Sequence, residues 1–345
     1  AADAQLKKYE GDSNYTPVYS PDGRLYTIPG GDFNEMINPL ASLSLPGALS
    51  KTHKFVANFS ADLQLWDNLK FRTSYGVDIQ FYSNDGYTKK YYLASGLNSS
   101  KSNAYSEKTD ATVWQLENVL MYDKTIDKHS FSIVLGQSAK KSTGSYLGGN
   151  RDNIINLDRP YIDASNGLSD EGQMRVWGGP NDVATLASMF ARISYNFDER
   201  YMLQATVRRD GSSRFGSNER WGTFWSVGLM WNLRKEKFME KYSWLTNAQI
   251  TLSTGTSGNS SISDYEHLAL VSGGLNYGGD AGIAPAQIGN EKLGWEKLWT
   301  TNVGLHLGFI NRFNVDLEFY NKKTTDMLMS VPCSYSDTGF GYRWD

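Results

Sequence analysis

The chain has 345 residues, with 34 Lys and Arg against 37 Asp and Glu, and a single cysteine, Cys333. A formal charge of −3 with no clustered basic run excludes a nucleic-acid footprint, and one thiol excludes an internal disulfide framework. No uninterrupted apolar run reaches the roughly 18 residues that a membrane-spanning helix needs, yet 33 Gly, 21 Tyr and 10 Trp supply turns and aromatic belts generously.

The start, AADAQLKKYEG, lacks the charged, apolar and small-residue regions of a signal peptide, so the expectation is a processed start or a chain that begins inside a longer one. Residues 1–52 read as loop, and 53–330 as five successive hairpins. In HKFVANFSADLQL, Phe55, Ala57, Phe59, Ala61, Leu63 and Leu65 share one parity. In LKFRTSYGVDIQF, Leu69, Phe71, Tyr75, Val77, Ile79 and Phe81 do the same against Lys70, Arg72, Ser74, Asp78 and Gln80. A period of two residues is a strand, and the three-residue gap at Trp66, Asp67 and Asn68 makes the two a hairpin. The second pair runs from Thr112 to Tyr122 and from Ser130 to Ser138, and the third from Leu186 to Phe197 and from Tyr201 to Arg208. TFWSVGLMWNL and AQITLSTG make the fourth, across a helix-like EKFMEKYSWL. The fifth joins Trp295–Phe309 to Phe313–Tyr320 through Ile310, Asn311 and Arg312.

Links within pairs are short. Between pairs they are long, about 28 residues from Ser83, about 45 from Ala139, about ten from Gly211 and about 40 from Thr256, more structureless chain than a soluble sandwich tolerates. Short turns alternating with long loops, strands of about 10 to 14 residues, and aromatics at the turn ends (Trp66, Phe197, Tyr201, Trp231, Phe309, Phe313) predict an outer-membrane β-barrel wall. One parity then faces lipid and the other a wet lumen. A soluble β-rich glycan-binding protein, and a self-contained outer-membrane barrel enzyme or pore, show the same alternation.

Three stretches carry more than pattern: RYMLQATVRRDGSSRFGSNERWGTFWSVGLMWNL at 200–233, WLTNAQITLSTGTSGNSSISDY at 244–265 and LGWEKLWTTNVGLHLGFINRFNVDLEFYNKKTTDMLMSVP at 293–332. They resemble the SusC/RagA-like TonB-dependent transporters of Bacteroidetes outer membranes, with a weaker likeness at NPLAS near Asn38 and Pro39. The resemblance implies an all-β, antiparallel transmembrane barrel of about 22 strands, of which this chain supplies about ten with long extracellular loops. It implies outer-membrane uptake of oligosaccharides or peptides driven by the TonB complex, with a SusD-like surface lipoprotein as lid, no enzymatic step and no cofactor. Ten strands cannot close such a barrel, no plug segment is present, and FGYRWD lacks the usual terminal aromatic, so the expectation is an internal fragment.

Candidate site residues are few. In RRDGSSRFGSNERWG, Asp210 and Gly211 favour a turn, while Arg208, Arg209, Arg214 and Arg220 could hold an anion; the plainer reading has Asp210 and Arg214 pin one another across a surface hairpin. Trp177, Tyr91, Tyr92 and Tyr277 lie in Gly-, Asn- and Ser-rich loops, as do Tyr87, Tyr105, Tyr146 and Tyr265. Exposed rings there suit stacking on sugars, while loop packing, the plainer reading for any single ring, uses the same residues. His53, His129, His267 and His306 make no metal-ligand spacing, and His306 falls on the polar parity as a solvated lumen residue. GGNRDN and SGGLNYGGD read as flexible loops.

Overall fold

In the computed structural model the described residues are 46–94, 97–156, 160–164, 175–181 and 183–344. NPLAS and nearly all of the expected 1–52 loop lie outside them. The strands in chain order are β1 (Pro46–Trp66), β2 (Leu69–Thr88), β3 (Tyr91–Ala94), β4 (Leu97–Ser99), β5 (Asn103–Ile126) and β6 (His129–Asp152). Then come β7 (Arg175–Pro180), β8 (Ala184–Phe197), β9 (Tyr201–Ser212), β10 (Trp221–Asn232) and β11 (Leu245–Asn259). The series ends with β12 (Leu270–Tyr277), β13 (Asp280–Gln287), β14 (Glu296–Phe309), β15 (Phe313–Thr325), β16 (Ser330–Pro332) and β17 (Tyr342–Trp344).

Ten strands pair in the order β1-β2-β5-β6-β8-β9-β10-β11-β14-β15, with β7 added beside β6. All five expected hairpins are present. Two expectations need correction. β1, β2, β5 and β6 run to 20–24 residues each, beyond a bilayer crossing, because their outer ends are polar and the ladder continues where alternation no longer signals it. The long links are also not structureless, since β3–β4 and β12–β13 are ribbons of their own; a further ribbon, β16–β17, follows β15. GGNRDN thus belongs to the end of β6, and SGGLNYGGD is the β12–β13 turn with Gly274, Gly278 and Gly279 at positive φ.

Chain contacts divide the protein into two units. One comprises the chain up to Phe55 with Ile79–Ala111 and Gly144–Asn181; the other comprises Val56–Asp78, Thr112–Thr143 and Asp182–Asp345.

The second unit holds most of the wall, and its register explains the alternation. Phe131, Tyr195, Leu203, Leu229, Leu252, Val303 and Phe319 stand opposite one another in turn across seven strands. One residue further, Ser132, Ser194, Gln204, Gly228, Ser253, Asn302 and Tyr320 form the matching row on the other face. Six of the seven apolar residues are exposed, Phe319 to 75%. A continuous bare apolar row is intolerable in water and expected in lipid.

Short turns close one end of this wall. At Phe197–Tyr201 the two residues Asp198 and Glu199 both have φ 53, and Arg200 N donates to Phe197 O at 2.8 Å. Ile310 (φ 53) and Asn311 (φ 55) repeat the arrangement before Phe313, the mirror-image turn whose twist suits a hairpin. Residues 233–245 instead carry two turns of 3-10 helix, at Leu233–Lys235 and Lys237–Met239, which accounts for the helix-like reading.

Rings lie across glycines of the adjacent strand. Phe190 faces Gly136 and Trp221 faces Gly211 in the second unit, and Trp177 faces Gly148 in the first. A Cβ on any of these glycines would come under 3.0 Å from the ring. The buried core is small and sits at the end of β9–β10 and β11–β14 opposite the short turns, where Phe215, Phe224, Ile262, Leu293 and Trp295 cluster.

Candidate functional site

The loop between β9 and β10 is the best-built feature of the long-loop end. Asp210 and Gly211 do not make a turn: they remain in β9, paired with Gly222 and Trp221. Gly211 is held there by the Trp221 ring that occupies its empty side, and Asp210 by Arg208, whose Nε donates to Oδ1 at 2.7 Å and Oδ2 at 2.9 Å. Arg208 also reaches Ser188 Oγ at 2.9 Å and lies 5.6 Å from the Phe190 ring centre. Asp210 therefore does not pin Arg214. Arg214 donates to Asp264 Oδ1 at 2.8 Å and to Ser260 O at 3.1 Å, tying this loop to the one after β11. The four arginines do not converge on one anion, because Arg209 takes the opposite face of the strand, 5.5 Å from the Trp221 ring.

Beneath the loop, Phe215 is fully buried against Trp295 at 5.2 Å, and Trp295 Nε1 donates to Arg220 O at 3.0 Å. The core thereby fixes the backbone of residues 215–220. Next to it opens a cleft of about 860 Å³ lined by Arg220, His267, Leu270, Gln287, Glu291 and Phe340 among others. His267 Nδ1 donates to Arg214 O at 3.0 Å, and Gln287 Nε2 to Tyr265 O at 3.1 Å and Leu268 O at 2.9 Å. Cation, carboxylate, amide and apolar groups thus share one concavity, a lining suited to polar solutes of mixed character. Reading the sequence missed this cleft. A lone Phe among small residues in SSRFGS was the available signal, since a turn does not need it.

The first unit has its own cleft, of about 810 Å³, where Tyr87, Tyr105 and Tyr161 stand with Lys51, Asp85 and Asp163. Tyr87 and Tyr105 were among the predicted loop rings, and Tyr161 was not. Trp177 lies on β7 over Gly148 and is 37% exposed. Tyr91 and Tyr92 pair with Ser99 and Asn98 in the β3–β4 ribbon. Tyr277 pairs with Asp280 at the tip of β12–β13, in the second unit. These four occupy three separate ribbons.

The short-turn end is ionic. Lys128 Nζ and Arg200 Nη2 each meet Asp198 Oδ2 at 3.1 Å, and Lys235 pairs with Glu199. The Tyr201 hydroxyl donates to Glu236 Oε1 at 2.6 Å and Trp231 Nε1 to the same oxygen at 3.1 Å. The Lys128 hydrogen bond, with the charges of Lys128, Arg200 and Lys235, holds the Asp198 carboxyl below its ordinary value. The Tyr201 and Trp231 hydrogen bonds do the same for Glu236. Rings run in line above this network, with Phe197, Tyr201 and Trp231 spaced at 6.4 Å and Trp244 stacked on Phe309 at 5.8 Å. His306 is not merely solvated: Nδ1 is 2.7 Å from Asp316 Oδ1 and Nε2 3.3 Å from Thr251 Oγ1, joining β11, β14 and β15 on the polar face. Among the described residues no three His, Cys, Asp or Glu side chains come together as a metal site.

The family model for the TonB dependent receptor-like β-barrel matches residues 2–345. The chain belongs to that family. TonB-dependent receptor P39 of Formosa agariphila is 32% identical over 298 residues, covering 81% of this chain and 28% of that protein. TonB-dependent receptor SusC of Bacteroides thetaiotaomicron is 28% identical over 332 residues, covering 92% of this chain and 31% of that protein. The solved RagAB peptide importer in its closed-closed state superposes with a TM-score of 0.82 at 26% identity over 94% of this chain and 36% of that one. The chain spans between 28% and 33% of the length of the curated relatives it matches.

As a SusC/RagA-like TonB-dependent transporter sequence, the wall belongs to the outer membrane, with its apolar face to lipid and its polar face to the lumen. The short turns are periplasmic and the long loops extracellular. No helix among the described residues is long and apolar enough to cross a membrane, so the crossing is made by strands.

Proposed function

We propose that the chain is part of the barrel wall and mouth of a TonB-dependent importer of oligosaccharides or peptides, covered by a SusD-like surface lipoprotein and driven by the TonB complex through a plug. The observation that carries the reading is the juxtaposition, within the second unit, of a lipid-type wall with a concave, chemically mixed cleft at its loop end. The SusC and RagAB likenesses support it. In this reading the chain performs no chemistry; its residues bind, line and exclude.

The first-unit cleft, with three tyrosines beside two carboxylates and a lysine, suits ring stacking combined with hydrogen bonding to hydroxyls or amides. Trp177, Tyr91 and Tyr92 in the first unit, and Tyr277 in the second, are proposed as further substrate contacts. Asp210, Gly211 and Arg214 act structurally, holding the loop that walls the second cleft, whereas Arg209 packs beside Trp221 on the other face of the strand.

The test is uptake of a panel of labelled oligosaccharides and peptides by cells expressing the full-length transporter with Tyr105→Ala, Trp177→Ala or Arg220→Ala. Reduced uptake at unchanged surface level supports the reading. Unchanged uptake in all three, with the lipoprotein still co-purifying, refutes the placement of substrate at this mouth.

A further inference from the structure

The lipid-facing side changes chemistry at its extracellular end. Val207, Trp225, Thr256, Trp299 and Lys323 stand in one cross-strand row, and the next row outward holds Arg209, Thr223, Gly258 and Lys297. Trp225 and Trp299 meet edge to face at 5.7 Å, and the Arg209 guanidinium lies 5.5 Å from the Trp221 ring centre. All three tryptophans are exposed on this face.

At the periplasmic end Lys128, Arg200 and Lys235 each have a carboxylate partner, while Lys241 lies 5.0 Å from the Tyr242 ring centre. At the outer end Lys297 is neutralised by Asp326 at 3.2 Å, but Arg209 and Lys323 have no carboxylate within ion-pair distance among the described residues. An arginine beside an indole, and a lysine opposite another indole in the strand register, present their charge at the level where an aromatic belt meets the headgroups. Long cationic stems lie along apolar surface while their heads reach the polar layer, where each is worth a severalfold gain toward an anionic surface.

We propose that Arg209 with Trp221, and Lys323 with Trp299, form a binding site for the phosphate groups of the outer-leaflet glycolipid. The charge of Arg209 and Lys323 is positive, unpaired, outward and at the level of the extracellular belt, so its complement is an anionic headgroup of that leaflet. The tryptophans bracket the sugar and upper acyl region below the phosphate. The site anchors the wall at a fixed depth next to the loops that form the mouth.

The test uses the full-length transporter purified and reconstituted in phosphatidylcholine nanodiscs, titrated with lipid A carrying its phosphates, with dephosphorylated lipid A, or with phosphatidylglycerol. Thermal stabilisation is the readout, and the slower gel mobility of the heat-unfolded form verifies that the barrel is folded. Wild type is stabilised at lower concentrations of phosphorylated lipid A than of the other two. Arg209→Gln with Lys323→Gln weakens that binding about thirtyfold, by about one cation's contribution each, while Arg209→Lys with Lys323→Arg largely retains it. Equal response to dephosphorylated lipid A, equal response to phosphatidylglycerol, or full retention in the double Gln variant overturns the proposal.

Discussion

Val303 and Asn302 are chain neighbours on opposite faces of β14, and replacing each in turn by Arg tests which face meets lipid. Val303 is 43% exposed, between Leu252 and Phe319 on the flanking strands, so little packing is lost when it is changed. The crossing on this strand runs from Trp299 to Phe309, ten residue steps, or about 34 Å along the strand. At a tilt of about 40° this rises about 26 Å, close to the apolar band of about 25 Å expected of such barrels. Val303 is four steps from Trp299 and six from Phe309, which places it within about 3 Å of midplane. Val303→Arg therefore costs about 2 to 4 kcal/mol, a factor of about 30 to 900 in the folded ratio. Asn302 donates to Ser253 Oγ at 3.3 Å on the lumen face, and Asn302→Arg costs only that bond, about 1 kcal/mol. The assay is urea unfolding of the full-length transporter in phospholipid vesicles, followed by the gel shift of the folded barrel. Equal losses at 302 and 303 would refute the face assignment.

Three further outcomes are expected. Ile310→Gly in the periplasmic turn raises stability by about 1 kcal/mol in the same unfolding assay, because a β-branched residue at φ 53 is strained there and glycine is not. Phe215→Ala costs about 3 to 5 kcal/mol of local stability, and limited proteolysis shows new cleavage in residues 213–220 while the barrel gel shift persists; cleavage unchanged from wild type would mean that the buried Phe does not hold the loop. The folded-state carboxyls of Asp198 and Glu236 are both lowered, so their contribution is fully present above the ordinary carboxylate range and lost as pH falls through their lowered values. Acid unfolding of Asp198→Asn is accordingly less pH-dependent than wild type below that range, and identical acid profiles would remove the turn network from the account.

The wall was legible because a lipid face and a wet face impose a two-residue period that no other constraint disturbs. Phe313, Val315, Leu317 and Phe319 advertise their surroundings directly. The loop end was not legible in the same way. Asp210–Gly211 has turn composition, but a ring from Trp221 and a guanidinium from Arg208 keep it in a strand, and both are tertiary effects that residue type alone does not encode. The partner of Arg214 lies 50 residues away at Asp264, beyond the reach of local spacing. The clefts depend on which ribbons fold back, so Tyr87 and Tyr105 were singled out while Tyr161 beside them was not.

The rings lying over Gly136 and Gly211 bear on how such a wall is assembled. Alternation between apolar and polar residues rejects a slip of one position between neighbouring strands, because every side chain would change faces. It is blind to a slip of two, which restores both faces. A slip of two would, however, bring Phe190 onto Val134 or Ser138 in place of Gly136, and Trp221 onto Arg209 or Ser213 in place of Gly211. Each glycine is thus a keyhole that only one register opens, and the aromatic opposite it acts as an indexing pin that selects among pairings the hydrophobic pattern treats as equivalent.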